Sequence, residues 1–221
     1  MKAKTAALAA ALSVCGLWIG VARTAPHPSE VSADWELEFT YRDLQAIRIH
    51  VPGEPAPRLF WYLQYRIVNR TGEDRLIVPD FTMYTPTGEL TPAGQRVPEY
   101  VFDSLRKKLN DPFLKDVTAI TGKLLQGEDN GKNGLAIWPD FDPGASSVSL
   151  FVGSLSGETA VVKLPKPVAV VEMDMMGKTR EVMKDAIVLS KTLCLAYSIP
   201  GEAPARFKTP VKLVEKTWIM R

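Results

Sequence analysis

The chain contains 221 residues, of which 46% are hydrophobic and 24% are charged, and 27 basic against 25 acidic side chains give a formal net charge of +2. These fractions argue against a disordered chain and against a membrane protein with several spans. The 15 glycines and 17 prolines favour short elements joined by turns. With two histidines and two cysteines, the chain offers little material for a metal site or a nucleophile.

The first 22 residues have the pattern of an export signal. Lys2 and Lys4 precede an uncharged, alanine-rich run from Thr5 to Ala22, and a basic start followed by an apolar run and small residues is typical of a secretory signal peptide. The run also just reaches the length of a membrane-spanning helix, so a retained single-pass anchor is the alternative and a buried core helix is the least favoured interpretation. We expect the remaining chain to be periplasmic or otherwise extracytoplasmic.

Cleavage after residue 22 changes the charge and the cysteine content. It removes two of the basic residues and no acidic residue, so the remaining chain is neutral. A neutral chain without a basic run is a poor candidate for nucleic-acid binding. Cys15 leaves with the signal, so Cys194 is the one remaining thiol and no intrachain disulfide is predicted.

Residues 23–34 are polar and contain proline, which indicates a flexible lead-in. Residues 35–221 then show the period-two alternation of half-buried strands, first at Trp35–Tyr41 and next at Ile47–Val51. We expect these residues to form one β-sandwich domain. A sub-boundary between residues 90 and 115 is the alternative.

The most informative stretch runs from Leu59 to Glu89. One side of its first strand is wholly apolar, and the other carries Phe60 and Tyr62; the apolar side consists of Trp61, Leu63, Tyr65 and Ile67. Residues 69–74 then supply turn formers, and a second strand and turn follow. This order predicts an antiparallel sheet packed against a second layer. Asn69 also matches a glycosylation acceptor, but the turn interpretation is favoured.

The same stretch resembles the immunoglobulin-like accessory domains of bacterial exported proteins and lipoproteins. The matching residues are Tyr65, Ile67, Asn69, Thr71, Gly72, Pro79, Phe81 and Gly88. Later segments are similar to planctomycetal exported proteins, with matches at Gly134, Ala136, Trp138, Gly153, Leu155, Ser156, Thr192, Leu193, Pro200, Gly201, Trp218 and Arg221. The resemblance implies an immunoglobulin-like antiparallel β-sandwich in an exported protein. It supplies no catalytic residue.

One short amphipathic helix is predicted between the two β halves. Pro98 suits a first helical turn, and Asp111-Pro112 ends the element. Its apolar stripe consists of Val101, Phe102, Leu105 and Leu109. We expect this helix to cap one end of the sandwich in preference to lying on a membrane surface.

The rest of the chain is predicted to form short strands. Val117–Leu125 and Leu135–Trp138 are expected to flank a loop formed by the sequence GEDNGKNG. Further strands are predicted at Val148–Val152, Thr159–Leu164, Val168–Met173, Ala186–Leu189, Thr192–Tyr197 and Lys216–Met220. Their spacing suits a sandwich, and the lack of a fixed repeat argues against a propeller or a solenoid.

Candidate chemistry is sparse. His27 and His50 have no partners that would make a metal site or a catalytic triad, so we interpret both as surface residues. Cys194 lies in a strand, where an inert, buried or half-buried thiol is expected. The sequence GSLSG resembles a nucleophile elbow but has leucine where serine is required.

Two acidic stretches and a methionine group offer metal-ligand chemistry. Loop oxygens that suit calcium come from Asp129, Asn130, Asn133, Asp140 and Asp142. Their spacing departs from the twelve-residue calcium loop, and ordinary turn formation is favoured. A thioether group consists of Met173, Met175, Met176 and Met183. Core packing is favoured for it over copper binding, so the sequence predicts neither a metal nor a cofactor.

The function that the sequence favours is a noncatalytic binding or structural module of the cell envelope, with another envelope protein as its partner. Phe60 and Tyr62 are predicted to line its contact surface, and packing against a second layer or the helix is the alternative. An anchored accessory subunit of a membrane-bound assembly is the second hypothesis. A hydrolase that uses Asp140 and Asp142 is the third.

Overall fold

The structure is a computed structural model that describes residues 25–31, 34–173, 178–199 and 203–221. The predicted signal or anchor at residues 1–22 lies outside this part of the chain. In chain order the described elements are β1 (Glu38–Tyr41), β2 (Gln45–Ile49), β3 (Arg58–Asn69), β4 (Arg75–Ile77), β5 (Asp80–Tyr84), β6 (Leu90–Pro92), α1 (Glu99–Leu109), β7 (Lys115–Asp116), α2 (Val117–Ile120), β8 (Gly122–Leu124), β9 (Gly127–Pro139), β10 (Ser147–Gly153), β11 (Thr159–Met173), β12 (Thr179–Ser198), a 3₁₀ helix (Ala203–Lys208) and β13 (Lys212–Met220).

These strands form two main sheets, as the alternating pattern predicts. The first sheet has the order β1-β3-β9-β7, with β2 also paired to β3. The second has the order β11-β12-β10-β5-β6, with β13 also paired to β12. All pairs in both sheets are antiparallel except β7 with β9. The prediction of a mainly β chain with antiparallel sheets is therefore confirmed.

The main hydrophobic core joins the two sheets. The apolar side of β3 contributes Trp61 and Leu63, which pack in one cluster with Leu150 of β10 and Leu195 of β12. All four side chains are fully buried. Burial on this scale is the main source of stability for the described residues, among which Cys194 is a free thiol.

A second, smaller cluster lies on the outer side of the first sheet. Helix α1 places Val101 and Leu105 against Phe60 and Tyr62 of β3. The helix is therefore confirmed, but its predicted position at one end of the sandwich is wrong. It covers an outer face because β3 is apolar on both sides, and its second apolar side needs a partner of its own.

The predicted loop at GEDNGKNG is wrong, because these residues open strand β9. Gly134 has a packing role in this strand, because a Cβ at this position would lie 2.2 Å from Cζ of Tyr65. Glycine thus allows the Tyr65 ring to cross the strand. Residues 117–120 were expected to be extended and instead form α2, whose first turn is capped by the Asp116 carboxylate accepting from the N–H of Ala119.

The turn after β3 is confirmed. Asn69 is fully buried, and its side-chain amide donates to the carbonyls of Glu73 and Leu124 while its oxygen accepts from the N–H of Thr71. Gly72 has a φ of 91°, as the turn requires. The buried, fully engaged amide favours the turn interpretation of this sequence over a glycosylation acceptor.

Candidate interaction surface

Strands β11 and β12 extend beyond the two packed sheets as a two-stranded ribbon. We define the ribbon as residues 159–173 of β11 and 179–190 of β12. Within it the two strands pair with each other, from Thr159 opposite Ser190 to Met173 opposite Thr179. Beyond Ser190, β12 continues between β10 and β13. The ribbon is thus an extension of the second sheet. No described strand pairs with either of its two edges beyond the packed sheets.

The ribbon exposes aliphatic side chains on both faces. One face continues the core side of the second sheet, because side chains alternate along β12 and Leu193 and Leu195 point into the core. This core-side face includes Val171 and Met183, which are 69% and 63% exposed. The outer face includes the cross-strand pair Val161 and Val188, which are 67% and 64% exposed. An apolar ribbon with neither face covered is typical of an interaction site.

Charged residues are distributed unequally over these faces. On the outer face, the Glu172 carboxylate accepts from Lys184 at 2.7 Å and from Arg180 at 3.2 Å. These contacts lower the pKa of Glu172, with Lys184 making the largest contribution. On the core-side face, Glu181 and Asp185 flank Met183. In the described part of the chain neither of these two carboxylates has an ion-pair partner.

A buried lysine fixes the base of the ribbon. The Lys191 side chain is 3% exposed, and its Nζ lies 3.1 Å from a Glu36 oxygen and 3.3 Å from a Glu158 oxygen. The other Glu158 oxygen accepts from the backbone N–H of Ser29 at 2.7 Å. The lysine Nζ also lies 5.1 Å from the ring centre of Trp218. The point where β12 leaves the packed sheets is thus held by charged and hydrogen-bonded contacts.

The pKa values of this group reflect its contacts. Burial alone would lower the pKa of Lys191, but its hydrogen bonds and charge interactions with Glu36 and Glu158 outweigh burial and raise it. The pKa of Glu158 is lowered, first by the hydrogen bond from the Ser29 N–H and further by Lys191, against the opposing effect of burial. Both shifts favour the charged forms, so the ion pair is stabilised in the folded protein.

The two residues predicted to line a contact surface do not reach solvent. Phe60 is 0% and Tyr62 is 4% exposed, and both lie beneath α1. The Tyr62 hydroxyl donates to Gln45 at 2.6 Å. The alternative stated for them, packing against the helix, is what the structure shows. The correction follows from β3 lying in the middle of its sheet with a covering layer on each side.

The other candidate residues lie apart from one another. His27 and His50 are exposed, and Cys194 is half-buried with a thiol pKa raised by burial. The expected inert thiol is thereby supported. Met183 is exposed, so core packing is wrong for it; the Met173 side chain and the whole of Met175 and Met176 lie outside what the structure describes.

The acidic candidates for calcium make ordinary local contacts. Asp140 accepts from the indole N–H of Trp61 at 2.8 Å, and Asp142 accepts from the N–H of Gly144 at 2.8 Å. Asp129 lies in β9 instead of a loop. Across the ranges that the structure describes, no group of three or more histidine, cysteine or acidic side chains is arranged to hold a metal ion.

A groove of about 760 Å³ lies between α1 and residues 114–119. Its floor is apolar and includes Phe102, Leu135 and Ile137. Its rim carries Arg106, whose guanidinium is already paired with Asp103 at 2.9 Å. The groove has no group of catalytic residues, and its mixed charges favour no ligand class.

Sequence reasoning missed the ribbon because its residues look like ordinary buried strands. Runs such as AVV and AIVL are typical of a sandwich core, and nothing in them indicates that the covering layer ends before the ribbon does. The available signal was the spacing: two apolar runs joined only by residues 174–178 predict a hairpin, and the hairpin is longer than any other in the described chain.

Comparison with family models, curated proteins and solved structures gives no match. In the described ranges, no helix is both long and apolar enough to span a membrane. The interpretation of this chain therefore depends on its own residues.

Proposed function

We propose that this chain is a noncatalytic binding module of the extracytoplasmic cell envelope, built on an immunoglobulin-like β-sandwich, and that the ribbon is its contact surface. The observation that carries the proposal is the exposure of aliphatic side chains on both ribbon faces. Exposed apolar surface of this kind costs solubility, and in natural proteins it marks contact sites. The two packed antiparallel sheets and the export-like N-terminal sequence support the fold and the compartment.

The buried Lys191 contacts support the same proposal. An extended two-stranded ribbon has little stability of its own. Its base is nevertheless fixed by an ion pair whose lysine is almost completely buried. A fixed base orients the ribbon before a partner arrives, and this lowers the entropy lost on binding.

The hydrolase hypothesis gains no support from the site geometry. Asp140 and Asp142 each hold a local structural hydrogen bond, to Trp61 and to the backbone of Gly144. Hydrolysis requires a nucleophile, a base and a stabiliser of the transition state to converge on one point. The anchored-subunit hypothesis uses the same ribbon and differs only in the fate of residues 1–22.

Capture of partners from the envelope fraction of the native host, with chemical cross-linking, tests this proposal. The test variant is Val161→Lys with Val188→Glu, which places opposite charges across the ribbon and so preserves strand pairing. The control is Val214→Lys on β13, because Val214 is 66% exposed and lies in the sandwich. We expect the native chain and the control to capture the same protein and the test variant to lose it. Equal capture by all three, or capture by none, would contradict the proposal.

A further inference from the structure

We infer that the outer edge of β12 in the ribbon accepts an added strand, and that the incoming segment is an extended peptide with the pattern basic-x-aliphatic-x-basic. The inference rests on the proposed function, because it specifies how the ribbon binds and what it binds. Strand addition to a free sheet edge is a general mode of peptide recognition, in which backbone hydrogen bonds provide affinity and side chains provide selectivity.

The direction of the backbone groups can be read from the base of the ribbon. Ser190 donates to and accepts from the backbone of Arg221, and Lys191 donates its N–H to Glu158 on the opposite side. Because these directions alternate along a strand, even-numbered residues from 180 to 188 turn their N–H and C=O groups away from β11. In the described chain no strand meets these groups. They form a row of donors and acceptors along one edge.

The two edges of the ribbon differ in how they are protected. The β11 edge contains Pro165 and Pro167 around a break in register between Lys163 and Val168. Prolines and irregular pairing are common devices that prevent strand addition. The β12 edge from Thr179 to Ser190 contains neither proline nor glycine, and each of its residues except Asp185, which faces the break, has a cross-strand partner on β11. Only the β12 edge is therefore suited to an incoming strand.

Charge on the core-side face selects the occupant. Glu181 and Asp185 lie on β12, beside the open edge, with Met183 between them. Residues directly opposite on a neighbouring strand share a face. An added strand therefore places one side chain opposite each of these three, and the complementary set is basic, aliphatic and basic. On the outer face, Arg180 and Lys184 already share the Glu172 carboxylate as an ion-pair partner, so the unpaired carboxylates of the core-side face are the stronger determinant of the occupant.

A second copy of the chain is a poorer occupant in the registers that are centred on residues 182–185. Two copies of β12 related by a two-fold axis pair antiparallel, and each possible register is centred on one residue. Centres at 182 and 183 place Arg180 opposite Lys184 and Glu181 opposite Asp185, respectively. Centres at 184 and 185 place Lys184 or Asp185 opposite its own copy. Directly opposed like charges are destabilising in a sheet.

Fluorescence anisotropy with a labelled peptide tests the inference on the full chain. The probe is acetyl-Thr-Val-Lys-Thr-Val-Thr-Lys-Val-Thr-amide, and the control probe has glutamate in place of both lysines. The test variant Val182→Pro removes one outward N–H at the open edge of β12. The control variant Val170→Pro makes the same change in the cross-strand partner of Val182, at the protected edge of β11. We expect Val182→Pro to weaken probe binding about tenfold or more and Val170→Pro to leave it unchanged.

A charge-reversed variant gives a readout that does not depend on proline. Glu181→Lys with Asp185→Lys should lose the lysine probe and gain the glutamate probe. Failure of the native chain to bind the lysine probe, equal binding of both probes, or equal effects of the two proline variants would each overturn the inference. So would a dimer of the native chain that Val182→Pro dissociates, because the occupant would then be a second copy. None of these results alters the capture experiment, which depends on the ribbon faces and tests the proposed function separately.

Discussion

The two halves of β12 contrast within one strand. From Thr192 to Ser198 the strand lies between β10 and β13, and its inward side chains are buried in the main core. From Thr179 to Leu189 its only pairing partner in the described chain is β11, and aliphatic side chains of the same kind are exposed. Both halves contain aliphatic residues, but charged residues occur only in the ribbon half, at Arg180, Glu181, Lys184 and Asp185. The halves also differ in whether another layer covers the strand, and this difference separates the part that stabilises the fold from the part available for binding.

Leucine-to-alanine substitutions in the two halves should show the largest difference. Leu195 is fully buried and Leu189, six residues earlier on the same face, is partly exposed. We expect Leu195→Ala to lower the free energy of unfolding by about 2–5 kcal/mol, since it leaves a cavity in the core. Leu189→Ala should cost less than about 1 kcal/mol. Urea denaturation of both variants measures this, and equal losses would show that the ribbon is part of the core.

The sequence predicts the buried core of the sandwich well. Period-two alternation on β3 identifies Trp61, Leu63, Tyr65 and Ile67 as one buried side, and all four are in the main core. The helix at 99–109 is also predicted, because its apolar spacing and its stop signal agree. These features are encoded locally, so single-sequence reasoning can find them.

The pairing and exposure of the ribbon residues depend on elements that are distant in the sequence. Pro165 and Pro167 predict a strand break, yet they lie on an edge, where a missing donor is tolerated and β11 continues through a change of register. Burial of Phe60 and Tyr62 depends on where α1 docks, and exposure of Met183 depends on where the opposite sheet ends. Each outcome is set by a distant element, which the local pattern does not specify.

The second largest difference in the free energy of unfolding is expected between lysine-to-methionine substitutions at the base and on the ribbon. Lys191→Met removes the ammonium between Glu36 and Glu158 and leaves a nearly buried carboxylate without its cation. We expect a loss of about 1–3 kcal/mol in the free energy of unfolding. Lys184→Met removes the contact with Glu172 on an exposed face and should cost less than about 1 kcal/mol. Thermal and urea unfolding measure both, and a larger loss for Lys184→Met would contradict the assignment of Lys191 as the base contact.

The base should also contribute a dependence on pH. The pKa of Glu158 is lowered in the folded protein, chiefly by the hydrogen bond from the Ser29 N–H. A lowered folded pKa stabilises the fold above the ordinary glutamate value of about 4.3, and this contribution is lost as pH falls through the folded pKa. We expect Glu158→Gln to flatten the decline in stability below about pH 5. Unfolding measured from neutral to acidic pH tests this, and an unchanged decline would show that Glu158 makes no such contribution.

The smallest difference is expected between the hydrogen-exchange rates of individual backbone amides along β12. In the ribbon, even-numbered residues from 180 to 188 direct their N–H groups to the open edge, whereas odd-numbered ones other than Asp185 lie opposite a partner on β11 and donate to it. We therefore expect the even-numbered amides to exchange faster by about tenfold, the factor that corresponds to one hydrogen bond of roughly 1.4 kcal/mol. From Thr192 onward the alternation should disappear, because β13 and β10 pair with the strand on both sides. Uniform protection along the whole of β12 would mean that the ribbon edge is already covered in solution, and its occupant would then have to be part of this chain or a second copy of it.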